Sequence, residues 1–150
     1  YMYWAGFFFF LKEAGELDWK AIGGTWGIAT SRLKTWENDE NTLPKELFEI
    51  VNTIENSGDK NSDVMAKYVF KYFVDMHKHF SRIRPLLVEG ATLDYIIGNS
   101  SFYGNLVNAE KLMEESLRIL GFDDVRSEII RKRNSNKHLY EFCTSAKWNG

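Results

Sequence analysis

The C-terminal part of this 150-residue chain carries the pattern that most restricts its fold. Two apolar segments, residues 125–132 and 139–144, are separated by a short polar stretch that reads RKRNSNK. β-Branched and aromatic residues in each segment predict a strand, and Asn and Ser between them tolerate turn conformations. The sequence therefore predicts an antiparallel β-hairpin, preceded by a helix stop at Gly121 and Phe122.

The tip of this predicted hairpin is basic. Residues 126–138 contain five Lys or Arg and one Glu, whereas the whole chain has a formal net charge of −2. A local basic patch on a mildly acidic protein indicates a polyanion or a phosphate as its partner. Short Lys/Arg runs also occur on ordinary solvated turns, so a surface turn without a ligand is the alternative interpretation.

Composition sets broad limits. Hydrophobic residues make up 44% of the chain and aromatic residues 15%, which predicts a folded domain with a core. The single Cys143 excludes an internal disulfide and fits a reducing compartment, so we expect a cytoplasmic protein. Residues 1–11 are very apolar but too short to span a bilayer, which predicts no membrane association. Because the chain begins with Tyr, we expect a piece of a longer protein.

The first 36 residues predict an apolar helix at 1–17, followed by a loop rich in Gly and Trp. Gly23, Gly24 and Gly27 flank Thr25 and Trp26, which indicates positive φ angles or close backbone approach. The spacing fits neither a P-loop nor the dinucleotide-binding fingerprint. Its side chains suit bases and phosphates, while a structural turn covered by a Trp is the alternative. The candidate nucleic-acid contacts here are Trp26, Thr30, Ser31 and Arg32.

Residues 37–61 predict an acidic helical insertion between two loops. Residues 37–63 hold eight Asp or Glu against two Lys, so this surface should not contact DNA. Apolar residues then recur every three or four positions over 62–84, which predicts the clearest helix of the chain. We therefore divide the chain into 1–36, 37–61 and 62–150.

The last of these segments also contains an apolar stretch at 92–97, which predicts a buried strand. It leads directly into a polar loop flanked by Gly98 and Gly104, and a helix is predicted at 106–120. Strand, helix and strand form a crossover unit, and open α/β sheets bind ligands at the carboxyl ends of their strands. The loop after residue 97 is therefore a candidate binding site.

Several short segments, in this order, resemble the C-terminal end of prokaryotic DNA modification methylases of the amino-methyltransferase type. They are AIGGTWG at 21–27, TSRL at 30–33, DYIIGNS at 94–100, FYG at 102–104, GF at 121–122, IRKRNSNK at 130–137 and LYEF at 139–142. The resemblance implies an α/β fold, namely the C-terminal half of a class I methyltransferase Rossmann-like sheet (helix–strand–helix–β-hairpin), preceded by helices and the Gly-rich segment. Such a sheet is mostly parallel and is closed by an antiparallel last strand.

The resemblance also implies a function. The parent protein would transfer a methyl group from S-adenosyl-L-methionine to the N6 amine of adenine or the N4 amine of cytosine in DNA, within a restriction-modification or solitary modification system. The target base would be flipped out of the duplex. The family's Pro-Pro-Tyr catalytic loop is absent, because the chain's prolines are Pro44 and Pro85. The cofactor's Gly-rich loop is absent too, so we expect this segment alone to be inactive.

The expected partners are DNA, the missing N-terminal part of the same protein and, for the isolated segment, a second copy of itself. The resemblance and the basic tip together give the candidate residues, with no catalytic residue and no metal ligand among them. The base-pocket candidates are Gly98, Asn99, Ser100, Phe102 and Tyr103, and the further DNA-binding candidates are Arg131, Lys132, Arg133, Asn134 and Lys137.

Alternatives remain for these residues and for the function. Phe102 and Tyr103 could pack beneath the loop rather than stack on a base, and residues 134–136 could serve the turn alone. A non-catalytic DNA-binding module and an RNA methyltransferase of the same fold are the competing functions.

Overall fold

The structure, a computed structural model, describes residues 14–24, 31–40, 42–134 and 138–150. The predicted helix at 1–17 falls mostly outside these residues. The helices are α1 (Ala14–Lys20), α2 (Lys45–Glu55), α3 (Ser62–Ile83), the 3-10 turn Arg84–Leu86 and α4 (Ala109–Ile119). The strands are β1 (Thr92–Gly98), β2 (Ser100–Phe102), β3 (Asn105–Val107), β4 (Asp123–Lys132) and β5 (Tyr140–Lys147).

The long helix α3 is the centre of the core. Its apolar residues recur at helical spacing, so Val69, Phe73, Met76 and Phe80 share one buried face. Helix α2 contributes fully buried Leu47 and Ile54 to the same cluster. The segment predicted as an acidic insertion therefore shares its core with the rest of the chain, although its outer surface is polar.

The three longest strands form one sheet in the order β1–β5–β4. Strand β5 is antiparallel to both neighbours, so β1 and β4 run in the same direction without pairing with each other. The predicted β4–β5 hairpin is confirmed, with slightly different bounds from those expected. The described part of the chain is thus a mixed α/β structure with helices and a small antiparallel sheet, in which the crossover through α4 passes over the position of β5.

The polar loop after β1 is more ordered than the sequence predicted. Residues 100–107 form a small hairpin in which β2 pairs with β3. Its two-residue turn, Tyr103 and Gly104, has φ angles of +50° and +78°, as a type I′ hairpin turn requires. Because Leu106 and Val107 belong to β3, helix α4 begins at Ala109 rather than at residue 106.

The predicted helix stop at Gly121 is confirmed. Gly121 has a φ of +83°, and its N–H donates to Arg118 O at 3.0 Å. The next N–H, of Phe122, reaches back to Leu117 O at 3.1 Å, which completes a Schellman motif. The buried Phe122 ring then packs on Trp148, with 5.3 Å between the ring centroids. This turn directs the chain from α4 into β4.

Within the described residues, no helix is both long and apolar enough to cross a lipid bilayer.

Candidate functional site

A cavity of about 350 Å³ lies between helix α3 and the carboxyl end of β1. Pockets of this size, at the small end of ligand sites, suit a compact ligand such as a single heterocycle. Three elements that are distant in the sequence form its walls. They contribute Gly23 from the N-terminal turn, Tyr68, Val69, Tyr72 and Phe73 from α3, and Ile96, Ile97, Gly98, Ser100, Phe102, Val107 and Ala109 from the region of β1 to α4.

The α3 wall carries two tyrosines four residues apart, which places Tyr68 and Tyr72 on one helix face. Burial raises the pKa of both phenols, so both remain neutral donors at physiological pH. The Tyr68 hydroxyl donates to Gly24 O at 3.3 Å. The Tyr72 hydroxyl has no hydrogen-bond partner within the described part of the chain. The wall therefore offers aromatic surface together with one phenol donor that a ligand can use.

The β1 wall offers backbone groups. Asn99 N–H donates to Tyr140 O at 3.2 Å, and Trp148 N–H donates to Ala91 O at 2.8 Å. Because alternate residues of an antiparallel strand face the same partner, the backbone groups of Ile96 and Gly98 point to the opposite edge. No strand among the described residues pairs with that edge. Within the described part of the chain, these backbone donors and acceptors beside the aromatic wall have no strand partner.

The N-terminal turn approaches the cavity closely, as the glycine density predicted. Gly23 has a φ of +68°, and a Cβ at this position would lie 3.3 Å from the Tyr72 ring. A Cβ at Gly24 would lie 1.9 Å from Asp18 O, so only glycine fits there. The neighbouring candidates Trp26 and Thr30 lie outside the described residues.

The other two N-terminal candidates lie on the surface, away from the cavity walls. Ser31 is exposed, and Arg32 forms an ion pair with Glu16. The Arg32 guanidinium also lies over the Trp19 ring, 5.6 Å from its centroid. Arg32 would have to exchange these intramolecular contacts for a phosphate in order to bind DNA.

The five base-pocket candidates separate into two groups. Gly98, Ser100 and Phe102 line the cavity together. Tyr103 does not: it occupies the β2–β3 turn, and its hydroxyl donates to Lys60 O at 2.8 Å. Asn99 is only 3% exposed, and its side chain turns towards the β4–β5 hairpin.

The basic candidates on the hairpin are mostly engaged within the protein. Arg131 forms a two-pronged ion pair with Glu141, from Nε to Oε2 at 2.7 Å and from a terminal nitrogen to Oε1 at 3.0 Å. The hydrogen bonds between the two side chains lower the pKa of Glu141 and raise the pKa of Arg131. Arg133 donates to Asn99 O at 3.1 Å.

Two of the remaining hairpin candidates are described, and both are exposed. Lys132 has no hydrogen-bond or ion-pair partner within the described part of the chain, and Asn134 lies next to it in the turn. Lys137 is outside the described residues. Among the described candidates on this hairpin, Lys132 is therefore the cation most available to an external phosphate.

Sequence reasoning missed the α3 wall. Tyr68, Tyr72 and Phe73 were assigned to an apolar helical stripe, which also describes ordinary core residues. The tyrosines could have indicated a pocket wall in the sequence. A buried helix face made of Leu or Ile has no polar atoms, whereas Tyr has a hydroxyl that requires a hydrogen-bond partner.

Within the described residues, no three His, Cys, Asp or Glu side chains lie close enough together to hold a metal ion. No protein-family model, curated protein or solved structure matches this chain.

Proposed function

We propose that this chain is the C-terminal part of a DNA amino-methyltransferase, in which the cavity at the end of β1 receives the flipped target base. The observation that carries the proposal is the composition of the cavity. Gly98, Ser100 and Phe102, which the methylase resemblance assigns to the base pocket, line one space with Gly23 from another segment that resembles the same family.

The strand arrangement supports the corresponding fold, the C-terminal half of a class I Rossmann-like methyltransferase sheet. In that fold the last strand is the antiparallel one. Here β5, the most C-terminal of the described strands, is antiparallel to two strands that run in a common direction. The unpaired edge of β1 is then the place where the preceding parallel strands of the parent protein would be added.

The chemistry of the cavity suits a nucleobase. Aromatic side chains can stack on a planar ring, and such stacking contributes on the order of 1–3 kcal/mol per base. The backbone groups of Ile96 and Gly98 and the Tyr72 hydroxyl provide hydrogen bonds that an apolar pocket lacks. Shape and polarity therefore favour a heterocycle with exocyclic amine or carbonyl groups over a purely aliphatic ligand.

The residues described do not form a site for S-adenosylmethionine. No Gly-rich loop follows a strand in the way the family's cofactor loop does, and no carboxylate lines the cavity. We therefore assign no catalytic step to this chain. In the proposed arrangement the methyl donor and the catalytic loop belong to the rest of the parent protein, and this chain supplies part of the base pocket and the basic hairpin.

The test is methyl transfer by the parent protein from radiolabelled S-adenosylmethionine to unmethylated DNA, with RNA as a parallel substrate. We expect incorporation into DNA. Replacing Phe102 with Ala should weaken substrate binding by roughly 5- to 150-fold if the ring stacks on the base. Ser101→Ala is the matched control, because Ser101 is the exposed neighbour of Phe102 in the same strand.

The other outcomes separate the alternatives. Incorporation into RNA alone would identify an RNA methyltransferase of the same fold. DNA binding without incorporation into either polymer would indicate a non-catalytic DNA-binding module. Equal loss of activity in Phe102→Ala and Ser101→Ala would contradict the role assigned to the cavity.

A further inference from the structure

Asn99 is hydrogen-bonded to the turn end of the β4–β5 hairpin, at the residues that lead into β5. Its Oδ1 accepts from Tyr140 N–H at 2.8 Å, and its Nδ2 donates to His138 O at 3.3 Å. Its backbone N–H donates to Tyr140 O at 3.2 Å. A buried amide with both side-chain ends occupied in this way fixes the two segments that it joins.

Arg133, the first residue after β4, connects the same two segments from the other side of the hairpin turn. Its backbone N–H donates to Leu139 O at 2.8 Å, and its guanidinium donates to Asn99 O at 3.1 Å. The guanidinium occupies the space beside Gly98, where a Cβ would lie 3.1 Å from the Arg133 terminal nitrogen. Gly98 therefore contacts the cavity on one side and the hairpin on the other.

We propose that Asn99 and Arg133 are positioning residues, which together form a latch between the hairpin and the cavity. The latch holds Lys132 at a fixed distance from the cavity, so that a nucleic-acid strand can place one base in the cavity and a phosphate against Lys132. For its ligand this inference rests on the proposed function. In this inference Asn99 holds the hairpin in place and does not contact a base. Arg133 likewise fixes the position of the hairpin and does not contact a phosphate.

The salt dependence of binding distinguishes a latch role for Asn99 from a direct contact between Asn99 and a base. When a protein neutralises fewer phosphates, the dependence of binding on salt becomes less steep. Asn99 carries no charge, so its replacement changes the salt dependence only if a cation that the latch positions, Lys132 or Arg133, moves. A residue that merely touched a base would weaken binding while leaving the salt slope unchanged.

The experiment uses the full chain with Asn99→Ala, and with Ser101→Ala as the exposed, neighbouring control. Binding of a fluorescein-labelled single strand of about 12 nucleotides is measured by anisotropy between about 50 and 200 mM salt. Lys132→Ala serves as the reference, with an expected loss of close to one phosphate contact from the salt slope. We expect Asn99→Ala to weaken binding and to lower the slope as Lys132→Ala does, and Ser101→Ala to change neither.

Amide hydrogen exchange tests the latch without any ligand. Leaving the Tyr140 N–H without its partner should speed exchange in peptides from the hairpin by roughly 5- to 150-fold. Peptides from α3 should be unchanged. Faster exchange throughout the chain would instead assign Asn99 to the stability of the whole fold and would overturn the proposal.

The remaining outcomes are also decisive. Weaker binding with an unchanged salt slope would make Asn99 a direct contact, and unchanged exchange in the hairpin would show that no latch exists. If the wild-type chain binds no single strand, the nucleic-acid part of this inference fails for this chain, and methyl transfer by the parent protein decides the proposed function separately. The exchange data alone then decide whether Asn99 holds the hairpin.

Discussion

Glu110 is a buried carboxyl group whose replacement should stabilise the protein. It lies in the first turn of α4, is only 7% exposed, and its Oε2 has no hydrogen-bond partner among the described residues. Burial raises the pKa of this carboxyl group. We therefore expect Glu110→Met, which keeps the length of the side chain but removes its charge, to increase the free energy of unfolding at neutral pH.

The magnitude follows from two opposing effects. An unpartnered buried polar group costs about 1–3 kcal/mol, and the substitution removes that cost. An acidic residue in the first turn of a helix contributes about 0.3–1 kcal/mol through the helix dipole, and the substitution loses that contribution. The net gain should be on the order of 0.5–2 kcal/mol, which raises the melting temperature by roughly 1–8 °C for a chain of this size.

The pH dependence has a definite sign. Because the folded-state pKa of Glu110 is raised, the wild-type protein loses stability as the pH rises above the unfolded-state value of about 4.3, and the loss is complete above the folded-state pKa. The variant lacks this loss. The stability difference between variant and wild type should therefore be smaller near pH 4 than at pH 7, where it is largest.

Thermal and urea unfolding, followed by circular dichroism at several pH values, measure this difference. Glu49→Met is the control, because Glu49 is an exposed glutamate within helix α2 and should change stability by less than about 0.5 kcal/mol. A Glu110→Met variant that is less stable than wild type at pH 7 would refute the argument. So would a stability gain that stays constant from pH 4 to pH 7.

Two further predictions concern the core and the sheet. His77 is 2% exposed and shares a 2.7 Å hydrogen bond with Ser116, and burial lowers its pKa. Stability should therefore fall as the pH drops through the unfolded-state value of about 6.5, and a His77→Gln/Ser116→Ala variant should lose that dependence in urea unfolding. Among the described residues no strand pairs with the edge of β1 opposite β5, and Ile96 of β1 is 74% exposed, so we expect the chain to self-associate in size-exclusion chromatography with light scattering. Ile96→Lys should yield a monomer, and a monomeric wild type would contradict this prediction.

Short-range signals in the sequence predicted the parts of the fold that depend on neighbouring residues. The helix stop at Gly121 requires only a residue that tolerates positive φ. The β4–β5 hairpin follows from two apolar segments around a turn. The position of β5 between β1 and β4 could not be derived in this way, because it depends on pairing between strands more than 40 residues apart.

The candidate site was predictable to a similar extent. The loop after β1 was located correctly from its glycines, and three of its five candidates reach the cavity. The Asn99 side chain does not reach the cavity, because side chains of successive residues in an extended segment point in opposite directions. Gly98 and Ser100 line the cavity, whereas Asn99 between them faces the hairpin. Tyr72 was missed because a pocket wall on a helix has the same periodicity as a core face.

The central position of β5 has a consequence for how the protein is made. β5 follows β1 and β4 in the sequence, yet both of these strands pair with it. During synthesis, β1 and β4 therefore cannot form this three-stranded sheet until residues 140–147 have left the ribosome, whereas α2 and α3 can pack together much earlier. Unpaired strands of this kind are exposed to aggregation, so the nascent chain should be most dependent on chaperones in the interval before residues 140–147 appear.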